Sequence, residues 1–230
     1  MEARRWQWLG LAVGLVLFLL VWLDEVLQGP VSSADRATYD LVTRWQDAGF
    51  PANALGDALS LPLTFPWVIL VTAIPVVVWW VLRDRRMAVW AAVGGAVSAG
   101  AIYGLKQLAH RPLPPRSAGA WYAFAFPSGH TISALANIGL LVLLAAQVLV
   151  DRRNLVGERA ARVWRWAVSA WAVEALVVGV ARILSQRHWA SDVYASWGIG
   201  LALACGLLLA AHVPGPPHLH GGSARPRTPG

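Results

Sequence analysis

Apolar residues run along this chain in six long stretches separated by shorter polar segments: Trp6 to Leu23, Leu61 to Leu82, Met87 to Gly104, His130 to Val150, Trp164 to Leu184 and Ala190 to Val213. A helix of about 20 predominantly apolar residues crosses the hydrocarbon core of a bilayer, so the pattern predicts an all-α, polytopic membrane protein with six transmembrane helices. Arg4 and Arg5 precede the first stretch as they would a secretory signal. Its 18-residue length, and the lack of a small-x-small cleavage site before Asp24 and Glu25, predict a retained helix instead. Pro62, Pro66 and Pro75 fall in the second stretch, where neighbouring helices can satisfy the freed carbonyls, and Pro75 is expected to kink it. Residues 1–213 are read as one six-helix membrane domain, and the Pro-, Gly- and His-rich segment 214–230 as a disordered tail with almost nothing to bury.

Composition agrees: 57% of residues are hydrophobic and 13% charged, too oily a mixture for a water-soluble globule. Eighteen arginines and one lysine outweigh 12 acids, but they sit in short clusters between apolar runs. No basic face interleaved with aromatics exists of the kind that grips a phosphate backbone, which excludes nucleic acid as a partner. Arginine placement also sets the topology, because cationic loops stay cytoplasmic. With the N-terminus inside, the inner segments hold Arg4, Arg5, Arg83, Arg85, Arg86, Arg152, Arg153, Arg159, Arg162, Arg165, Arg225 and Arg227, 12 of the 19 basic residues. Both termini are therefore expected in the cytoplasm, with the protein in the plasma or inner membrane. The first outer loop, about residues 24 to 60, carries Asp24, Glu25, Asp35, Asp40, Asp47 and Asp57 and is long for a structureless connection. Leu41, Val42, Trp45 and Ala48 recur at helical spacing within it, a pattern that fits an interfacial helix over Ala34 to Ala48 or a solvated loop.

An ionisable group at a helix centre in the membrane costs roughly 2.5–3.5 kcal/mol on insertion scales, so each one near a span needs a reason. They form three clusters. Lys106 and Arg111 end the third span, Pro127-Ser128-Gly129-His130 opens the fourth, and Arg182, His188 and Asp192 straddle the junction of the fifth and sixth. Alternating crossings put all three on the outer face. A helix start offers unpaired N–H groups and the positive end of a dipole, so Ser128 and Gly129 form an anion seat. His188 and Asp192 are four apart, a spacing that puts them on one face if both are helical. The carboxylate then fixes the imidazole tautomer and leaves the other nitrogen as a nucleophile. His130 can protonate a leaving oxygen, and the cations can neutralise a phosphoryl group. The set reads as phosphoryl transfer through a phosphohistidine, with no metal and no cofactor.

Pro127-Ser128-Gly129-His130 together with Arg182-x5-His188-x3-Asp192 resembles the second and third signatures of the type 2 phosphatidic acid phosphatases, the membrane branch of the acid phosphatase and haloperoxidase superfamily. The resemblance covers Lys106 to Asp192 directly and, through the six-span layout, nearly the whole chain. It implies an acid phosphatase/haloperoxidase-like helical bundle, with His188 as nucleophile, Asp192 as its partner and His130 as general acid. Ser128, Gly129, Lys106 and Arg182 become phosphate ligands. Two positions depart from the family pattern. After six residues following Lys106 the expected Arg-Pro is Leu113-Pro114, so Arg111 of Arg111-Pro112 is the replacement cation to consider, ahead of Arg116; and the serine before Arg182 is Ala181.

The expected activity is removal of a terminal phosphate from a membrane lipid at the extracytoplasmic face, with undecaprenyl pyrophosphate, phosphatidylglycerol phosphate and phosphatidic acid as candidate substrates. A lipid phosphotransferase using the same site, and a non-catalytic lipid-binding or transport protein, are the alternatives. Glu174, in the middle of the fifth span, is read as a neutral group bonding between helices. Gly10 with Gly14 and Gly100 with Gly104 match the small-xxx-small pattern of close helix packing. Cys205 is the one cysteine, so no intrachain disulfide forms.

Overall fold

The computed structural model describes residues 4–60, 77, 83, 85–117 and 124–213, and every regular element among them is helical. In chain order these are α1 (Arg5–Leu27), α2 (Pro30–Asp47), α3 (Ala52–Ser60), α4 (Arg85–Ala109) and α5 (Gly129–Ser133). A π-helical turn (Ala134–Ile138) carries α5 into α6 (Gly139–Arg152), and α7 (Gly157–Leu184) and α8 (Ala190–Ala210) follow. Five helical stretches among the described residues are long and apolar enough to cross a membrane: Arg5–Leu27, Arg85–Ala109, Gly129–Arg152, Gly157–Leu184 and Ala190–Ala210. They coincide with five of the six expected spans. The expected second span, Leu61 to Leu82, lies outside the described residues except for Val77, as does the tail 214–230.

The outer surface of α1 shows why apolar residues run all round it: Leu9, Leu20 and Val26 are each more than half exposed, a face suited to lipid. Its inner stripe of Gly14, Phe18 and Val21 is buried. That stripe lies along α8, so closely that a Cβ on Gly14 would stand 2.6 Å from the Gly198 carbonyl oxygen and 2.7 Å from the Ala202 nitrogen. Only glycine permits the approach. Gly10 meets Cys205 of α8 in the same way, whereas Gly100 and Gly104 meet no other atom within 4 Å among the described residues, so the second small-xxx-small pair does not mediate packing there. Leu140, Leu143, Trp164 and Leu208 form the buried centre where α6, α7 and α8 converge. The π-helical turn disturbs the ladder of backbone bonds just beyond His130, and the Trp171 indole N–H donates to the Leu135 carbonyl at 3.1 Å.

The segment expected as the first outer loop is a pair of helices. Helix α2 begins at Pro30, whose fixed φ and missing N–H suit a first turn, and the Asp24 carboxylate accepts from the Val31 N–H at 3.1 Å. It starts four residues before the expected Ala34, because Val31, Ser32 and Ser33 are too few to carry a helical periodicity in the sequence. Helix α3 is not signalled by the sequence pattern at all. It packs on α7, and a Cβ on Gly56 would lie 2.5 Å from the Ala181 carbonyl oxygen.

Candidate active site

The three polar clusters meet at one end of the bundle, and the loop from Ser185 to Trp189 is the centre of that meeting. Gln186 anchors it, donating from Nε2 to Thr43 Oγ1 at 2.7 Å and to the Tyr39 carbonyl at 3.3 Å, both on α2. Trp189 caps α8, and Asp192 in the first turn reaches back so that its Oδ2 accepts from the Trp189 N–H at 2.8 Å. This fold-back brings Oδ2 to 3.5 Å from His188 Nδ1. The pair therefore meets differently from the sequence expectation: His188 precedes α8, and a helix cap rather than a shared helix face unites it with Asp192. At 3.5 Å the contact is an ion-pair distance longer than a good hydrogen bond, as is common in catalytic pairs without substrate.

Asp192 is fully buried, a costly place for a charge unless it is paired. Arg111 supplies the pairing. Its Nη1 donates to Asp192 Oδ1 and to Ser191 Oγ, both at 2.6 Å. Its Nη2 lies 2.6 Å from Asp35 Oδ2 and 2.9 Å from Glu25 Oε2, and the guanidinium sits 5.6 Å from the Trp189 ring centroid. Burial works against the Arg111 charge, but Asp192, Asp35 and Glu25 outweigh it and raise its pKa above the ordinary value. The expectation that Arg111 replaces the cation missing at Leu113 is thus not what the geometry offers, since both terminal nitrogens are committed to carboxylates. Arg116 donates to Asp47 and Gln46 on an exposed surface.

Lys106, near the end of α4, donates to the Phe124 carbonyl and, at 3.3 Å, to that of Ala125. Arg182, near the end of α7, is 4% exposed and donates from Nη1 to Ser60 Oγ of α3 at 3.0 Å, with Asp57 at 4.0 Å. His130, in the first turn of α5, is within electrostatic reach of Arg182, His188 and Lys106, and its buried Nε2 has no hydrogen-bond partner among the described residues. Ser128 and Gly129 are buried at the start of the same helix. The Ser128 N–H donates to Ser196 Oγ of α8 at 2.8 Å, and Ser128 Oγ accepts from Thr131 at 3.0 Å. His188 is buried, and that burial, followed by the nearby charges of Lys106 and Arg182, holds its pKa well below the ordinary histidine value. A neutral imidazole beside buried cations is a competent nucleophile toward an anion that those cations attract.

Every residue expected at the site is thus drawn to this one end. The sequence reading missed Asp35, Ser191, Glu25, Ser60 and Asp57. The acids among them stood in plain view as loop charges, and their one signal was that an acid-rich loop faced a cation-rich helix end. Among the described residues no three His, Cys, Asp or Glu side chains converge as metal ligands. Glu174 stands apart from the site, half-buried on α7, and among the described residues its buried Oε2 has no hydrogen-bond partner, so the interhelical bond expected of it is not made there.

A helical membrane bundle with two histidines, a buried carboxylate and two cations at one end defines a membrane phosphatase. The PAP2 superfamily model matches residues 87–213, more than half of the chain, and the chain belongs to that superfamily. Its structure is similar to the crystal structure of a transmembrane PAP2-type phosphatidylglycerolphosphate phosphatase from Bacillus subtilis. The TM-score is 0.63 at 18% identity, over 87% of this chain and 96% of that one. No curated protein matches the chain.

Proposed function

We propose that this protein removes a terminal phosphate from a lipid phosphate or pyrophosphate, through a phosphohistidine on His188, at the extracytoplasmic face of the membrane. The carrying observation is the approach of Asp192 Oδ2 to His188 Nδ1, on a ring that lies within electrostatic reach of Lys106, Arg182 and His130. Nε2 attacks phosphorus while the bond to the lipid oxygen breaks, and His130 gives its proton to that oxygen. Asp192 stabilises the positive charge that develops on the His188 ring. Water then attacks the phosphohistidine, His130 takes the proton, and inorganic phosphate leaves with His188 restored. Lys106, Arg182, the Ser128 hydroxyl and the Gly129 N–H hold the equatorial oxygens, whose charge grows in the transition state. The outward orientation rests on the arginine distribution.

Undecaprenyl pyrophosphate is the substrate we favour, with phosphatidylglycerol phosphate, the substrate named for the Bacillus subtilis protein, and phosphatidic acid as the others to compare. The test is phosphate release by purified protein in detergent with EDTA across these three lipids. Release from at least one, with an acid-labile phosphoenzyme on rapid quench, is expected. Transfer only to an added acceptor alcohol would replace hydrolysis by phosphotransfer, and inertness toward all three would overturn the reading.

A further inference from the structure

The catalytic chemistry assigns no task to Asp35, yet this carboxylate is 2% exposed, in a segment whose pattern fits an interfacial helix or a solvated loop. Its Oδ1 accepts from the Ser191 N–H at 2.8 Å. Its Oδ2 accepts from the Ser191 hydroxyl at 2.5 Å and from Arg111 at 2.6 Å. Arg111 in turn bonds Asp192 at 2.6 Å. A continuous chain of charge-assisted bonds therefore runs from α2 to the carboxylate that faces His188.

We infer that Asp35 is a positioning residue for the nucleophile: by sharing Arg111 with Asp192, it fixes that carboxylate in place and leaves it enough negative charge to steady the His188 imidazolium. The inference rests on the proposed role of His188. The physical reason is charge sharing. A guanidinium serving Asp192 alone would spend its whole field on the one carboxylate that must stabilise positive charge on the ring. With Asp35 and Glu25 on the opposite side, at 2.6 and 2.9 Å, its charge is divided, and Asp192 remains an effective partner. Geometry is shared as well. Ser191 bonds both Arg111 and Asp35 and stands next to Asp192 in the first turn of α8, so the turn carrying Asp192 is clamped to α2 from outside the bundle.

Two opposite substitutions separate this role from mere support of the fold. The charged and titratable groups facing His188 are Lys106 from α4, Arg111 from the following loop, His130 from α5, Arg182 from α7 and Asp192 from α8. Asp35 and Glu25 act on it through Arg111, and Asp57 and Arg187 through the Arg182 side. Asp35→Asn concentrates Arg111 on Asp192, destabilises the imidazolium and moves the acid limb of kcat/KM to lower pH. Arg111→Gln frees the Asp192 charge, stabilises the imidazolium and moves that limb to higher pH.

The experiment measures kcat, KM and the pH profile of phosphate release from dioctanoyl phosphatidic acid, undecaprenyl pyrophosphate and phosphatidylglycerol phosphate, with melting temperature recorded for each variant. Asp35→Asn is expected to lower kcat by about 10- to 100-fold, the usual cost of removing a partner of a catalytic group, with KM nearly unchanged. Asp35→Asn/Arg111→Gln should be less impaired than the product of the single effects, because the two opposite charges leave together. Ser191→Ala, which removes only the bridging hydroxyl, should fold normally and fall between wild type and Asp35→Asn in kcat. Unchanged kcat in Asp35→Asn and Ser191→Ala, limbs that move the same way in both single variants, or strict additivity overturns the inference while leaving His188 as nucleophile. Wild-type protein inert toward all three lipids instead overturns the proposed function, and this role with it.

Discussion

Helix α7 carries charge at both ends, and the two ends could hardly be treated more differently. At its start Glu158 pairs with Arg165, and both side chains are more than half exposed. At its far end Arg182 is 4% exposed and held by Ser60 and Asp57. An acid at a helix start and a base at its end both suit the helix dipole, so the dipole does not explain the contrast. Burial does. A solvated pair gives back in hydration what it gains in attraction, while a buried cation persists only where the surrounding structure holds it and something repays its desolvation. At the buried end that cation stands beside two histidines, Lys106 and the Asp192–Arg111–Asp35 chain, and the repayment we assign to it is an anionic substrate.

The most severe way to break this contrast is at the centre of the buried end. His188→Ala should lower turnover by about 10⁴-fold or more and abolish the acid-labile phosphoenzyme, because the covalent step loses its nucleophile. Rapid-quench assays with radiolabelled lipid phosphate read both. Retained turnover would remove His188 from the role, whatever the fate of the other residues.

Lys106→Met comes next. Loss of one charged hydrogen bond to the phosphate is worth about 1.5–3 kcal/mol, which is about 10- to 150-fold in kcat/KM. The same change carries a pH signature. Burial together with Lys106 and Arg182 keeps the His188 pKa low, so the ring is neutral and active well below the range near pH 6.5 where a free histidine becomes charged. Removing the Lys106 cation makes the imidazolium easier to form, and the acid limb of kcat/KM should move up toward that range. A limb that stays in place, measured across about pH 4 to 8 on one lipid phosphate, would mean that Lys106 does not face His188 electrostatically.

What could be read from the sequence divides along the same line. Five described spans follow directly from apolar length, because lipid demands an unbroken helix and leaves a plain mark. Lys106, Ser128, Gly129, His130, Arg182, His188 and Asp192 were legible because polar groups at helix ends need a reason. The roof was harder. Asp35 looks like the other five acids of its loop, and nothing in local sequence says that one is buried while Asp47 is 60% exposed. Its partner Arg111 is 76 residues away, and only the tertiary fold sets that distance. Arg111 itself was legible as a cation near the site, but whether it faces substrate or carboxylates depends on α2, whose docking no periodicity encodes. The approach of His188 to Asp192 was expected for the wrong reason, because a spacing of four looks the same within a helix as across its cap.

The mildest perturbation tests the exposed half of the comparison. Glu158→Gln removes one partner of an ion pair that begins α7, with both side chains open to solvent. The pair spans two helical turns, and Arg162 adds a further positive charge near Glu158, so the variant loses some favourable local field. Solvent screening and the entropy of holding two long side chains together cancel most of it. The expected result is an unchanged melting temperature and unchanged kcat and KM, at low and at high salt alike. A clear loss of turnover would show that charge at this end communicates with the site along α7, and the division between a solvated end and a working end would have to be given up.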